Sequence, residues 1–363
     1  MKLISIIGKI TSVKYFIPGL FTVFTGSFLS AQPVQKKIRI DLLTEGVSTS
    51  IRAMNILNDS VVWVGGSNGF VGKTTNGGGT WQWMHPDHER LDFRSLTAFD
   101  SSHAVVANAG SPATIFLTSD GGNHWQKVYS NPDTAFFFDG MVFRNKKDGI
   151  IYGDPVNGKF IILSTKDRGK HWKLLPLKKR PEAMQGEASF AASNSAIFNL
   201  PGSKYIWIGT GGKTARLFFS KDFGKKWTKR NTAMLQGKSS TGIFSIAFIN
   251  KNNGICVGGD YADDLVRLNN ALLIRNGGKK YQKPIVNPFG YRSCVIYFSP
   301  DTLLCTGTSG TDLSVDGGLT WSRLSPMGFN VLQRAKNGHT VFLAGNGGRI
   351  AQIIFPQNVH STH

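Results

Sequence analysis

Carboxylates and tyrosines stand next to several strand-like runs of this 363-residue chain. Asp154 and Asp260 come directly after apolar runs that end in glycine, and Glu187 opens another such segment. Tyr261 and Tyr291 accompany runs of the same kind. Two carboxylates can act as acid and base in glycoside cleavage, and a tyrosine beside a glutamate can act as the nucleophile. These five residues are catalytic candidates, although ordinary turn-forming Asp and capping Glu would give the same pattern.

An arginine recurs at one phase near the start of three strand-like segments: Ser50-Ile-Arg52, Asp92-Phe-Arg94 and Gly290-Tyr-Arg292. Like charges gathered at one wall are costly unless they meet anions. The planar guanidinium suits carboxylate, sulfate or phosphate groups. We therefore predict that Arg52, Arg94 and Arg292 form a ligand-binding group, with separate structural ion pairs as the alternative.

Patterns for other chemistries are weak. Residues 209–214 hint at a phosphate-binding loop but lack its Gly-x-x-x-x-Gly-Lys-Ser/Thr spacing. The closest histidine cluster, His85 and His88 beside Asp87, is typical of a solvated loop rather than of a metal site. Three cysteines stand in apolar runs without Cys-x-x-Cys spacing, which indicates buried thiols: Cys256, Cys294 and Cys305. We predict neither a metal nor a cofactor.

The N-terminus is typical of an export signal. Three lysines accompany an apolar stretch from Tyr15 to Ala31 that ends in small residues. The stretch is short for a membrane-spanning helix and contains Pro18-Gly19. We predict a signal peptide over 1–31, cleaved to leave 32–363 in the periplasm or outside the cell; an uncleaved anchor is the alternative. The net charge of +20 favours anionic neighbours, either a protein or envelope partner or an acidic glycan, and export argues against nucleic acid.

Five segments share the form Ser/Thr-x-Asp/Asn-x-Gly-x-x-Trp, and we call them the box turns. They are Thr74–Trp81, Ser119–Trp125, Thr165–Trp172, Ser220–Trp227 and Ser314–Trp321. A weaker copy ends at Tyr281, and the intervals between the closing aromatics are 44, 47, 55, 54 and 40 residues. This spacing suits one four-stranded antiparallel blade per repeat.

The repeats predict an all-β chain: a single seven-bladed β-propeller of four-stranded antiparallel blades. The blades are expected near 50–84, 93–129, 136–176, 188–231, 242–285, 291–325 and 329–355. The last blade has no box turn, and the lone strand-like segment 37–43 precedes the first blade. Pairing of this N-terminal strand with the last blade would close the ring. Six or eight blades are the alternatives.

Each box turn has the composition of a folding element. A short acidic or amide side chain accepts backbone N–H bonds, glycine takes the positive-φ position, and the indole packs between sheets. We assign this structural role to Asn76, Trp81, Asp120, Trp125, Asp167, Trp172, Asp222, Trp227, Asp316 and Trp321.

The box turns resemble the Asp-box (BNR) repeats of sialidase-like propellers. The longer phrase from Val62 to Phe70, continued by Gly78 to Trp81, resembles the photosystem II assembly and stability-factor-like propellers. The resemblance spans the mature chain, and it implies that the turns lie on the rim and that the protein aids assembly.

These observations favour an exported, non-catalytic module that binds a protein or envelope partner through an arginine-containing channel face. The alternative is a glycoside hydrolase acting on anionic sugars. The Arg-Ile-Pro start of sialidases is absent, because Arg39 is followed by Ile40-Asp41. A shared fold does not transmit an activity, so any enzyme here would need its own arrangement of side chains.

Overall fold

The computed structural model describes residues 38–88 and 90–356. The signal peptide predicted over 1–31 lies outside the described residues. Within them the chain forms antiparallel sheets and three single-turn 3₁₀-helices, Leu177–Lys179, Asn276–Gly278 and Asn346–Gly348. No helix in this part of the chain is long and apolar enough to cross a membrane.

The strands follow one another in a regular order around a ring. After β1 (Arg39–Thr44), blade 1 contains β2 (Ile51–Ile56), β3 (Val62–Gly66), β4 (Val71–Thr74) and β5 (Gln82–Met84). Blade 2 contains β6 (Phe93–Ala98), β7 (Ala104–Asn108), β8 (Ala113–Thr118) and β9 (Gln126–Asn131). Blade 3 contains β10 (Phe138–Phe143), β11 (Gly149–Val156), β12 (Lys159–Thr165) and β13 (Lys173–Leu174). The region of blade 4 contains β14 (Glu187–Ala188), β15 (Ile197–Asn199), β16 (Ile206–Gly209), β17 (Gly211–Gly212), β18 (Arg216–Ser220) and β19 (Thr228–Asn231). Blade 5 contains β20 (Thr241–Phe248), β21 (Gly254–Asp260), β22 (Ala271–Arg275) and β23 (Lys280–Gln282). Blade 6 contains β24 (Cys294–Tyr297), β25 (Leu303–Gly307), β26 (Gly310–Ser314) and β27 (Ser322–Ser325), and blade 7 contains β28 (Val331–Arg334), β29 (Val341–Ala344) and β30 (Ile350–Ile354).

The predicted seven-bladed propeller is confirmed, and so is its closure by the N-terminal strand. β1 pairs antiparallel with β30, with Arg39 opposite Ile354 and Leu42 opposite Ala351. The first strand is therefore the outer strand of the last blade. This pairing joins the two ends of the ring and covers an edge that would otherwise be open to other chains.

The core lies between neighbouring blades. The second strand of a blade is covered on both faces, and every residue of β3 and of β7 is buried. Strands buried on both sides show continuous apolar runs instead of alternation, as these do. Hydrophobic clusters join residues of adjacent blades: one contains Trp63 of blade 1 with Phe93 and Val106 of blade 2, and the largest joins blades 6, 7 and 1.

The box turns repeat one set of hydrogen bonds. In blade 2 the Asp120 carboxylate accepts the backbone N–H of His124 at 3.0 Å, and the Thr118 hydroxyl accepts that of Gly122 at 2.9 Å. The structural hydroxyl is thus Thr118, one residue before the Ser119 that opens the sequence pattern. Gly122 has φ +92°, and a Cβ there would lie 2.1 Å from the Met84 sulfur of blade 1. Only glycine satisfies both demands.

The closing indoles pack against the preceding blade. Trp125 of blade 2 meets Trp63 of blade 1 edge-to-face, with ring centroids 6.4 Å apart. Trp321 of blade 6 is only 3% exposed and lies in a cluster with Ile255 of blade 5. Its Nε1 donates to the Gly318 carbonyl at 3.1 Å, so the polar atom of the ring is satisfied.

Blade 4 departs from the repeat. Its inner strand β15 begins at Ile197, whereas the sequence pattern placed the start of this blade near 188. β14 pairs instead with β17, and β17 pairs with β20 of blade 5, which makes a six-stranded sheet.

Residues 191–196, which we call the plug, occupy the centre of the ring. The Asn194 side chain accepts the Met141 N–H of blade 3 at 2.7 Å and donates to the Leu96 carbonyl of blade 2 at 3.2 Å. Ser193 Oγ donates to the Ser293 carbonyl of blade 6 at 2.6 Å. Asn194 itself has φ 58°, a conformation that asparagine tolerates. One short segment thus bonds to three other blades and separates the two ends of the channel.

Candidate binding site at the channel mouth

The inner strands of four blades carry a β-bulge near their start. In each case the pairing register slips across one residue of the inner strand, which leaves that residue as the extra one: Arg52, Arg94, Asp139 and Phe244. A bulge redirects a side chain out of the regular ladder and is common at functional sites. These residues share one end of the channel, which we call the mouth.

Arg52 and Arg94 come together at the mouth. Burial lowers the pKa of the Arg52 guanidinium, and the charge of Arg94 lowers it further, while Tyr291 and Asp92 act in the opposite direction. Arg94 is paired with Asp92, with its Nη2 2.7 Å from Oδ2. Within the described residues, the Arg52 guanidinium makes no hydrogen bond and no ion pair. A half-buried cation is thereby held beside a second one without direct compensation.

The structure does not bring Arg292 to this pair. Its side chain is fully buried, with Nη2 2.6 Å from Asp312 Oδ2 and Nη1 donating to the Tyr291 carbonyl at 2.6 Å. Nη1 also donates to Ser309 Oγ. Arg323 approaches the other Asp312 oxygen at 3.1 Å. Arg292 therefore has the contacts of a structural ion pair. The sequence contains a sign of this ion pair. Asp312 lies in the third strand of its blade, two residues before the hydroxyl of the box turn, and the first three blades carry the uncharged residues Gly72, Phe116 and Leu163 at that position.

Beside Arg94 lies a pair of carboxyl groups with raised pKa values. Asp139 is 1% exposed, and neither of its carboxyl oxygens has a hydrogen-bond partner among the described residues. Burial raises the pKa of Asp139 well above its ordinary value, the charge of Asp154 adds to this, and Arg94 opposes it. Burial also raises the pKa of Asp154, which accepts the Ser189 N–H at 2.8 Å. The sequence pattern predicted Asp154 as a site residue but not Asp139, although Asp139 occupies the same position in its inner strand as Arg52 and Arg94 do in theirs.

Glu187 lies in a fully bonded internal cluster. Its side chain is inaccessible and forms a two-pronged ion pair with Arg216, with Nε to Oε1 at 2.9 Å and a second bond from Nη2 to Oε2. Thr210 Oγ1 donates to Oε1, and the Met184 N–H donates to Oε2 at 2.9 Å. These contacts anchor the segment that leads into the plug and leave the carboxylate no free lone pair for a substrate.

Asp260 is also engaged. Its Oδ2 lies 3.1 Å from Lys238 Nζ, and its Oδ1 accepts the Ala262 N–H at 2.9 Å. Burial alone would raise the pKa of Asp260, but the hydrogen bonds from Ser240, Ala262 and Lys238 outweigh burial and lower it.

Aromatic rings form one wall of the mouth. Phe190 stacks on Phe244 with centroids 3.9 Å apart, and Tyr291 meets Phe244 edge-to-face at 4.8 Å. Tyr261 leans on both phenylalanines and remains 53% exposed. Burial raises the pKa of Tyr291, and the charge of Arg52 opposes that shift, which places the hydroxyl near the arginines. The mouth thus combines two cations with an apolar shelf.

Comparisons with known proteins identify the fold and leave the family open. Residues 113–242 match a family model described as sortilin, neurotensin receptor 3. No curated protein sequence matches the chain. Similar solved structures include YCF48 bound to D1 peptide, with a TM-score of 0.61, 15% identity, and coverage of 88% of this chain and 95% of that one. YCF48 from Cyanidioschyzon merolae has a TM-score of 0.58, 17% identity, and coverage of 86% and 98%.

A glycoside hydrolase is among the similar structures as well. The GH74 xyloglucanase from Xanthomonas campestris has a TM-score of 0.59 and 14% identity; the match covers 87% of this chain but only 53% of the enzyme. The chain shares its propeller fold with all three. At these identities the likeness extends to the fold alone, and the function has to be argued from the site.

Proposed function

We propose that this protein is a non-catalytic binding propeller whose channel mouth takes an acidic segment of a protein or envelope partner. The main support for this proposal is the state of Arg52. Its half-buried guanidinium lies beside Arg94 and makes no hydrogen bond or ion pair within the described part of the chain. A carboxylate placed between the two cations would offset their repulsion and supply the missing acceptors. The adjacent shelf of Phe190, Phe244 and Tyr261 would bury an apolar side chain of the same segment.

Four further observations support this proposal. The basic charge of the chain would steer acidic partners toward it. YCF48, whose fold is similar, has been solved with a bound peptide. The export signal predicted over 1–31 agrees with binding in the cell envelope, and the resemblance of the phrase from Val62 to Phe70 to assembly-factor propellers agrees with a binding role. Glu187 and Asp260, two of the three carboxylates named as catalytic candidates, already form ion pairs with Arg216 and Lys238.

The test is binding of synthetic peptides that contain two glutamates next to a tryptophan, measured by fluorescence anisotropy. Arg52→Gln combined with Arg94→Gln is expected to weaken binding at least tenfold, which corresponds to about 1.4 kcal/mol. Arg39→Gln is the matched control, because Arg39 lies on the outer strand β1 with a 61% exposed side chain. Affinity should fall as salt rises. Equal binding by the double variant, or equal binding of peptides with lysine in place of glutamate, would contradict the proposal.

A glycoside hydrolase is the second candidate, and the raised pKa of Asp154 beside Asp139 is the observation that favours it. A protonated carboxyl is what a general acid requires. The burial of Asp139 weighs against this function, because that side chain does not reach the surface that a sugar would contact. Hydrolysis of fluorogenic sialyl and uronyl substrates by the parent chain, together with its loss in Asp154→Asn, would establish the hydrolase function. The peptide-binding proposal predicts no turnover of these substrates.

A further inference from the structure

A second cavity lies at the end of the channel opposite the mouth, and we call it the basal pocket. It has a volume of about 670 Å³, and all seven blades contribute to its wall. The contributing residues sit at the far ends of the inner strands, for example Asn55 of β2, Thr97 of β6 and Gln333 of β28. Asn194 and Ser195 of the plug close it on the inner side. The basal pocket is therefore a blind cavity with one entrance, within the size range of small-molecule sites.

The basal pocket is apolar inside and basic at one side of its entrance. Its inner wall includes the partly accessible apolar side chains of Val142, Phe198 and Ile296. Arg334, the last residue of β28, and Lys336 stand on the blade 7 side toward the open end. The lining contains no aspartate or glutamate. The charged residues of the lining, Arg334 and Lys336, both belong to blade 7, and the remaining lining residues are apolar or uncharged polar residues.

The two cations lack acidic partners within residues 38–88 and 90–356. Lys336 Nζ donates to the Asn55 side-chain oxygen at 3.0 Å. Arg334 Nη1 donates to the Phe298 carbonyl at 2.6 Å, and its guanidinium lies over the Phe298 ring at 4.9 Å. Arg334 Nε is buried and has no hydrogen-bond acceptor in the described structure. Neither cation has a counter-charge in this part of the chain, so an anionic group at the entrance would compensate the positive charge of both.

We propose that the basal pocket binds a small amphipathic carboxylate, with its hydrocarbon body against the inner wall and its carboxylate at Arg334 and Lys336. This lining sets the orientation of the ligand, since a charged group placed against Val142 and Ile296 would lose its hydration without a counter-charge. The apolar body gains from burial in the deep part, and the head remains beside the cations. The plug keeps this ligand apart from whatever binds at the mouth.

The experiment uses dodecanoate at micromolar concentration, with dodecanol and acetate as controls, in titration calorimetry on the full chain. Dodecanoate should bind at least tenfold more tightly than dodecanol, and acetate should not bind measurably. Shortening to decanoate should weaken binding by about fourfold for each methylene lost. Equal affinities for dodecanoate and dodecanol, or no binding of dodecanoate, would overturn the proposal.

Variants separate the two parts of the site. Lys336→Gln should remove most of the preference for dodecanoate over dodecanol, and Lys336→Arg should restore it. Gln333→Trp should block both ligands by filling the cavity, whereas Gln333→Ala should not. Lys283→Gln, a change of the same charge at an exposed position, is the matched control. A thermal melt of each variant without ligand shows that it is folded. Retained preference in folded Lys336→Gln, or displacement of dodecanoate by the acidic peptides that test the mouth, would also overturn the proposal.

Discussion

The box turns and the channel mouth are both built on repeated positions, but they use repetition in opposite ways. In the box turns, the acidic or amide side chain accepts the same backbone N–H in five blades, as Asp120 does from His124 and Asp316 from Thr320. At the mouth, one equivalent bulge position holds Arg52, Arg94, Asp139 and Phe244. The carboxylate, amide and hydroxyl groups of the box turns find partners within the turn, although the buried indole N–H groups of Trp81 and Trp227 have none among the described residues. At the mouth, by contrast, both carboxyl oxygens of Asp139 and the Arg52 guanidinium lack partners in that part of the chain. The first pattern is what a scaffold requires, and the second is what a ligand can use.

This comparison predicts its largest effect at a box indole. Trp321→Ala should lower the free energy of unfolding by about 3–5 kcal/mol, because it removes a buried ring from between blades 5 and 6. Val315→Ala, in the same turn but 66% exposed, should change it by less than about 0.5 kcal/mol. Denaturant titration measures both values. A similar stability for Trp321→Ala and the parent chain would remove the scaffold role of these turns.

The next effect is expected at the anchor of the plug. Arg216→Met should cost about 3 kcal/mol, because it leaves the Glu187 carboxylate buried without its partner. Adding Glu187→Gln should recover part of that loss, since the buried charge is then gone. If the double variant is no more stable than Arg216→Met, the ion pair is not the source of the cost.

A smaller and pH-dependent effect is expected from Asp139→Asn. The folded-state pKa of Asp139 is raised, so its protonated form stabilises the fold, and this contribution is lost as pH rises from the unfolded value near 4 through the folded value. The variant cannot ionise; it should match the parent at about pH 4 and become more stable than the parent as pH increases. The gain is about 1.4 kcal/mol per unit of pKa elevation. Parallel stability curves from pH 4 to 9 would contradict the buried, proton-holding role.

The smallest stability effect is expected at the mouth itself. Arg52→Gln should change the free energy of unfolding by less than about 0.5 kcal/mol, because the guanidinium makes no bond that the fold needs. Thermal melts of Arg52→Gln and Arg39→Gln should therefore be alike. A large destabilisation by Arg52→Gln would place Arg52 with the scaffold and remove the contrast on which the binding proposal rests.

The fold was predictable because the box turns are local. A hydroxyl, a carboxylate, a glycine and an indole within eight residues specify their own hydrogen bonds, and the spacing of these groups counts the blades. The closing strand was predictable as well, because the last repeat lacked an outer strand. The plug was not, because the bonds of Asn194 go to Met141 and Leu96, residues far away in the chain that no local pattern connects.

The candidate site was only partly predictable for the same reason. The shared phase found Arg52 and Arg94 correctly as neighbours in space, but it grouped them with Arg292, whose partner Asp312 lies on another strand of blade 6. The position of a residue within its repeat does not by itself show that a β-bulge directs the Arg52 side chain into the channel. Asp154 was selected for its type, and its raised pKa follows from burial and not from sequence.

The pairing of β1 with β30 has a consequence for how this molecule folds. The ring acquires its last lateral hydrogen bonds only when β1 pairs with Ile350–Ile354, so every earlier stage of folding has two unpaired sheet edges. Contacts between segments so far apart in sequence form slowly. During that interval the edges of β1 and β30 are open to pairing with strands of neighbouring molecules, so the closing step is the stage at which this chain is most exposed to aggregation.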